Sequence, residues 1–123
     1  MKTIITITFL LFSFLGFSQT SREEVVERDK NGQKLIVNTY TGTGNSEKLT
    51  KKTKYSSYWA TCVKPTSIEY YGSYKWEMKN TGEVIGIFWG VVKTEEFDQS
   101  GVLVKTWKKT DDNSINHTYT ILP

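Results

Sequence analysis

A short turn motif recurs along this chain and constrains its fold more than any other feature. In each copy a polar or charged residue stands three places before a glycine, between stretches rich in β-branched and aromatic residues. The copies are Asp29–Gly32, Lys79–Gly82 and Asp98–Gly101. Such a segment suits a type I turn followed by a glycine with positive φ, which closes a tight β-hairpin. The motif therefore predicts an antiparallel, all-β chain.

The three hairpins also predict which residues face one another across the strands. With Lys79 opposite Glu83, the second hairpin gives the pairs Met78–Val84, Trp76–Gly86, Tyr74–Phe88, Gly72–Gly90, Tyr70–Val92, Tyr71–Val91 and Glu69–Lys93. The other two hairpins give the pairs Val25–Val37, Val26–Ile36, Phe97–Leu103 and Glu95–Lys105. Apolar residues meet apolar residues and acids meet bases, which is what cross-strand pairing favours.

The same patterns predict strands near 23–29, 33–41, 56–63, 67–79, 83–95, 102–109 and 115–121. The last four are expected to form an antiparallel β-meander. Residues 42–54 are expected to be a loop, because Gly42, Gly44 and Asn45 break regular structure and a charged stretch follows. For a chain of this length we expect a small antiparallel β-sandwich or a partly closed barrel.

The N-terminal eighteen residues have the layout of a secretory signal peptide. Lys2 is followed by an apolar run from Ile4 to Phe17, and small residues stand at Gly16 and Ser18. The run is shorter than the roughly 20 residues that a membrane span needs. We therefore expect a bacterial exported protein, periplasmic or extracellular, with residues 1–18 as signal peptide and residues 19–123 as a single domain.

The composition of the expected mature chain indicates no particular binding partner. Without Lys2 the net charge falls from +3 to +2, which is too small to argue for a charged partner. Cys62 is the single cysteine, so the chain cannot form an internal disulfide. Two interpretations of Cys62 stay open: a buried small apolar residue, or a free thiol that joins another chain.

Alternation along the long central strand separates two rows of side chains. The even row is apolar and is expected to face the core; it holds Ile68, Tyr70, Gly72, Tyr74, Trp76 and Met78. A small internal pocket beside Gly72 and Gly90 is the alternative use of this row.

The odd row mixes rings with long charged side chains, which is typical of a half-exposed recognition surface. Its candidate binding residues are Tyr71, Trp89, Trp107, Lys93 and Lys105. The alternative is that the N-terminal hairpin covers these rings and completes a second core layer.

A basic stretch with interleaved rings forms a second candidate binding site. Its residues are Lys48, Lys51, Lys52, Lys54, Tyr58 and Trp59. Lysines and rings together suit single-stranded nucleic acid, but export removes that partner. Two interpretations stay open: a solvated, flexible basic loop, or a peripheral contact with an anionic envelope surface.

Little in the sequence predicts catalysis. His117 is the single histidine, and no nucleophile or orienting group is placed near it by the pattern. One histidine and one cysteine without paired spacing do not predict a metal site, and no cofactor is expected. The favoured function is a non-catalytic binding module for a protein or glycan at the cell envelope. The alternatives are a small exported hydrolase using His117 and a structural or homo-oligomeric envelope protein, for example a homodimer.

Overall fold

The computed structural model describes residues 20–56 and 64–123, which form one open antiparallel sheet. Its strands are β1 (Ser21–Arg28), β2 (Lys34–Thr41), β3 (Lys48–Lys54), β4 (Ser67–Met78), β5 (Val84–Phe97), β6 (Leu103–Lys108) and β7 (His117–Ile121). Two short 3₁₀ helices, Gly44–Ser46 and Lys109–Asp112, lie in connections within this part of the chain. The prediction of an all-β antiparallel chain is confirmed. The described strands make a single sheet that does not close, in place of the expected sandwich or barrel.

The order of the strands follows the chain except at the last one. The neighbours run β1-β2-β3-β4-β5-β6, and β7 returns to pair with β4. The expected C-terminal meander therefore holds for β4, β5 and β6 but is wrong for β7. The reason is strand length: β3 pairs only with residues 67–70 of β4, so residues 74–78 keep a free edge that β7 fills.

Strand β3 lies inside the segment that was expected to be a loop. Its lysines and threonines lack an apolar alternation, so the sequence pattern misses it, but the backbone pairs with β2 and β4 on its two sides. The hydroxyls of Thr41 and Thr50 lie 3.0 Å apart and reinforce the pairing with β2. The strand expected at 56–63 is not present at Ser56, and its residues 57–63 lie outside the described residues.

The three turns form where the motif predicts them. Gly32, Gly82 and Gly101 have φ values of 83°, 70° and 87°, the left-handed region that glycine enters without steric cost. In the second hairpin the Met78 N–H donates to the Glu83 carbonyl at 2.8 Å, so its loop has one residue more than expected.

The predicted register is confirmed in the middle of the hairpins and wrong beyond the bulges. The confirmed pairs are Trp76–Gly86, Tyr74–Phe88, Gly72–Gly90, Tyr71–Val91, Val25–Val37 and Phe97–Leu103. The corrected pairs are Glu77–Val84, Tyr70–Lys93, Glu69–Thr94, Glu27–Ile36 and Glu96–Lys105. Each correction follows a register shift, where one strand carries an extra residue and the side chains beyond it change partners.

The sheet buries few side chains. Among the described residues, the buried hydrophobic ones are Val37 and Val92, and the buried polar ones are Thr39 and Thr53. The β1–β2 hairpin extends the sheet through β3 instead of packing on its face, so it does not form the expected second layer. Stability of the described domain therefore depends mainly on strand pairing and contacts along the sheet.

The predicted signal peptide, residues 1–18, and Cys62 lie outside the described residues. Within 20–56 and 64–123, no helix has the length and apolarity needed to cross a membrane.

The turn at Asp98 leads to a pH-dependent stability prediction. Asp98 Oδ1 accepts hydrogen bonds from the Val102 N–H at 3.0 Å and the Ser100 N–H at 2.8 Å. The bond from Val102, followed by those from Ser100, holds the pKa of the Asp98 carboxyl below its ordinary value. A depressed pKa stabilises the fold above the unfolded-state pKa, and this stabilisation is lost as the pH falls through the folded-state pKa. We expect Asp98→Ala to lower the melting temperature at neutral pH.

In acid the difference between Asp98→Ala and the parent chain should shrink. Thermal melts from neutral pH to below the ordinary carboxyl pKa check this. Asp98→Asn is the control, because it keeps an oxygen acceptor but carries no charge. A difference between Asp98→Ala and the parent that stays constant through the acid range would contradict the assignment.

Candidate functional site

Five rings pack together on one face of the sheet, where β7, β4 and β5 lie side by side. We call Tyr74, Trp76, Phe88, His117 and Tyr119 the aromatic cluster. Trp76 is central: its ring centroid lies 5.9 Å from that of His117, 6.1 Å from that of Tyr119 and 6.3 Å from that of Phe88. The pairings Trp76–Tyr119 and Tyr74–Phe88 bring the rings to the same face. These spacings suit favourable edge-on and tilted ring contacts.

Glycines beneath the rings allow this close packing. A Cβ atom at Gly86 would lie 2.8 Å from Phe88 Cζ, and one at Gly90 would lie 3.4 Å from Tyr74 Cε1. A Cβ at Gly72 would lie 3.4 Å from Val92 Cγ2. These neighbouring side chains fill the space beside Gly72 and Gly90, where the alternative interpretation of the sequence placed a small internal pocket. Phe88, from the same strand, covers Gly86.

A lysine from the connection between β6 and β7 lies over two rings of the aromatic cluster. Lys109 Nζ is 4.4 Å from the ring centroid of Tyr119 and 4.6 Å from that of Tyr74. A cation in this position is attracted by the negative faces of both rings. Trp76 Nε1 is buried and has no hydrogen-bond partner among the described residues. The cluster therefore combines a fixed positive charge with a buried donor.

The aromatic cluster is only half buried, although its row was expected to face a core. Every residue of β4 has intermediate exposure, and Phe88 is 41% exposed. The reason is architectural, since a single sheet leaves this face without a second sheet among the described residues.

The structure separates the three rings of the predicted recognition surface. Tyr71 Oη donates to Glu69 Oε1 at 3.3 Å, and burial followed by the Glu69 charge raises the pKa of Tyr71. Trp89 Nε1 reaches across β4 and donates to the Leu49 carbonyl of β3 at 3.0 Å. Its ring also lies 4.6 Å from Lys48 Nζ.

Trp107 turns toward the 3₁₀ helix that follows β6. Its Nε1 donates to Asp112 Oδ1 at 3.3 Å. Within the described ranges, no ring–ring contact joins Trp107 to Tyr71 or Trp89. The predicted surface is therefore three separate ring contacts and not one aromatic platform.

The two lysines of that predicted surface lie on opposite faces. The register shift beside Val91 pairs Lys93 with Tyr70, and Lys93 Nζ lies 4.6 Å from the centroid of the Tyr70 ring. Placing Lys93 with Tyr71 was wrong, because the extra residue in β5 rotates it to the other side. Lys105 pairs with Glu96, and Glu96 pairs with Ser67, which belongs to the odd row. Lys105 therefore lies on the face of the odd row, and Lys93 lies on the other face.

The predicted basic loop is not a loop where the structure describes it. Lys48, Lys51, Lys52 and Lys54 all belong to β3, and Tyr58 and Trp59 lie outside the described residues. Lys51 and Lys52 are adjacent in the strand and point to opposite faces. Lys54 Nζ lies 3.8 Å from Glu69 Oε2. The lysines are therefore divided between the two faces and do not form one basic patch.

The sequence interpretation missed a free sheet edge on β5. Strand β6 pairs with β5 only from Lys93 to Phe97, so no described strand pairs with the outer edge of residues 84–92. This segment carries no charged residue, and several of its side chains are exposed: Val84, Ile85, Ile87, Phe88 and Trp89. We call residues 84–92 the free β5 edge. The uncharged run is visible in the sequence, but the missing neighbour is not.

His117 takes part in a local turn and in the aromatic cluster. Its Nδ1 lies 3.1 Å from Ser114 Oγ, which also accepts from the N–H groups of Asn116 and His117. In the described part of the chain no hydrogen bond or ion pair joins His117 to a carboxylate, and no group of three His, Cys, Asp or Glu side chains is arranged to hold a metal ion. The contacts of His117 are therefore hydrogen bonds within a local turn and packing against the rings of the aromatic cluster.

Comparison with known proteins adds no family to this description. No protein-family model matches the chain, and neither a curated protein nor a solved structure matches it.

The contact of Lys109 with two rings leads to a stability prediction. We expect Lys109→Gln to lower the free energy of unfolding by about 1 kcal/mol, because exposed cation–π contacts contribute roughly 0.5–1 kcal/mol each. Urea denaturation followed by tryptophan fluorescence measures the change. Lys105→Gln removes the same charge from β6 away from the rings and serves as control. Equal losses in the two variants would contradict a specific role for the rings.

Proposed function

We propose that this chain is an exported, non-catalytic interaction module that binds a protein partner as an added strand along the free β5 edge. The observation that carries the proposal is the combination of an unpaired edge and exposed apolar side chains in residues 84–92. Strand addition gives affinity through main-chain hydrogen bonds and specificity through alternate side chains.

The backbone directions of β4 show which groups the edge offers. The Leu122 N–H donates to the Ser73 carbonyl at 2.9 Å, so Ser73 faces β7 and not β5. Backbone groups alternate in direction along a strand, so Lys75, like Ser73, faces β7. Trp89 and Ile87, which pair with these two residues, therefore point their N–H and C=O groups outward. A row of outward groups is a template for another strand.

A protein partner suits this edge better than a glycan, because a peptide backbone satisfies a row of alternating donors and acceptors. The second candidate is a glycan on the aromatic cluster, favoured by the exposure of Phe88 and the neighbouring half-buried rings. Trp and Tyr rings combine large apolar area with a polar tip, which suits both kinds of ligand.

The remaining alternatives have less support. The local bonding of His117 with Ser114 favours a structural role over the hydrolase hypothesis. Lysines divided between the two faces of β3 favour a solvated strand over binding to an anionic envelope surface. Export rests on the layout of residues 1–18 in the sequence.

The substitution Ile87→Pro tests strand addition directly. It removes an outward N–H that no described strand uses, and proline is tolerated at such edge positions. We expect the variant to stay folded and to lose binding of envelope proteins. The control Ile87→Thr keeps the N–H and should retain most of the binding. Amide hydrogen exchange of Ile87 and Trp89 gives the readout: fast exchange in the isolated monomer and protection with the partner bound.

Outcomes of this experiment separate the candidates. Binding that survives Ile87→Pro but is lost in Phe88→Ala would overturn strand addition in favour of the aromatic cluster. Amides of Ile87 and Trp89 that remain unprotected in the presence of an envelope extract would remove the protein partner altogether.

A further inference from the structure

We infer that the strand added to the free β5 edge is the same edge of a second copy of this chain, in antiparallel orientation. The inference rests on the proposed function and names its partner. Two copies related by a two-fold axis would join their sheets into one continuous sheet, the self-complementary type of interface that is commonest among soluble oligomers.

The outward backbone groups suit this pairing. Because the Ser73–Leu122 bond directs Ser73 toward β7, Ile87 and Trp89 both point their N–H and C=O groups away from β4. A two-fold axis beside Phe88 pairs Ile87 with Trp89 of the other copy and Trp89 with its Ile87, away from the register shift at Ile85. Both residues of such a pair direct their backbone N–H and C=O groups toward the other copy. This is what the hydrogen-bonded pairs of an antiparallel ladder require.

The charges at the two ends of the edge favour the antiparallel orientation. Glu83 lies at the end near the second hairpin turn, and Lys108 lies at the other end, where it pairs with Lys93. An antiparallel pair brings Glu83 of each copy toward Lys108 of the other, whereas a parallel pair would bring like charges together. The segment between carries no charge, so nothing repels the central residues.

Charges on the neighbouring strand do not oppose this arrangement. Lys75 and Glu77 of β4 are paired with one another, with Lys75 Nζ 3.2 Å from Glu77 Oε2. Strand β6 begins to pair only at Lys93, so no described strand occupies the outer edge of residues 84–92, although the Lys109–Asp112 helix that follows β6 also contacts β5. The exposed side chains of Ile87 (63%) and Val84 (48%) would be partly covered.

Sedimentation equilibrium of the full-length gene product, expressed with its own N-terminal segment, tests the inference. We expect a monomer–dimer equilibrium whose dissociation constant Ile87→Pro raises about tenfold or more, since lost hydrogen bonds and disturbed neighbouring pairs weaken the interface. Ile87→Thr should raise it less. Circular dichroism of both variants shows that the sheet is retained.

A charge swap gives a second, independent test. Glu83→Lys and Lys108→Glu should each raise the dissociation constant, because each places like charges at both ends of the dimer. The double variant should restore dimerisation, since it exchanges the two charges and again leaves opposite charges facing one another at both ends of the dimer. Lys30→Glu, in the first hairpin turn, alters the net charge as Lys108→Glu does but lies on a different part of the sheet, and should leave the constant unchanged.

The outcomes distinguish this inference from the proposed function. A chain that stays monomeric at all concentrations overturns the second copy as partner. If Ile87 and Trp89 amides still gain protection from envelope proteins, strand addition stands with another partner. A dimer that forms equally well in Ile87→Pro, or that the charge swap does not restore, also overturns the antiparallel edge pairing.

Discussion

The backbone ladder between β4 and β5 supports the rest of the structure. These two strands are the longest in the described chain; β3 and β7 pair with β4, β6 pairs with β5, and β2 and β1 follow outward from β3. β3 and β7 share one edge of β4, end to end, and β6 covers only the far end of β5. With Val37 and Val92 as the buried hydrophobic residues of the described ranges, hydrogen-bonded pairing and cross-strand contacts dominate over a conventional core.

A one-layer sheet has a direct consequence for function. Sheets in globular domains bury their apolar face against a second layer; here Lys109 of the connection between β6 and β7 lies over two of the rings, but the described residues supply no second sheet. Rings that would lie inside a sandwich are therefore half exposed, as Phe88 and its neighbours show. The same shortage of partners leaves the free β5 edge uncovered. Both features favour an interaction module, because association buries the surface that the monomer leaves open.

The candidate site shows where sequence reasoning succeeds and where it fails. The period of two correctly places Tyr74 and Trp76 on the face of Phe88, because that stretch of the hairpin has no register shift. Lys93 was placed on the wrong face because the extra residue in β5 carries no sequence signature. His117 and Tyr119 join the cluster only because β7 returns to β4, a pairing between residues about forty positions apart in the chain. The free edge was missed for the same reason, since it depends on how far β6 extends along β5.

The local structure follows from the amino-acid sequence alone: antiparallel hairpins at the three glycine turns, their central registers and the alternation of side chains along each strand. These features depend on residues close in the chain, chiefly on glycine at positive φ and on the period of a strand. Long-range pairing, by contrast, makes β3 a strand, joins β7 to β4 and arranges the described strands as one open sheet. Those outcomes depend on which backbone edge remains unpaired once the other strands have formed, and no short stretch of sequence records that.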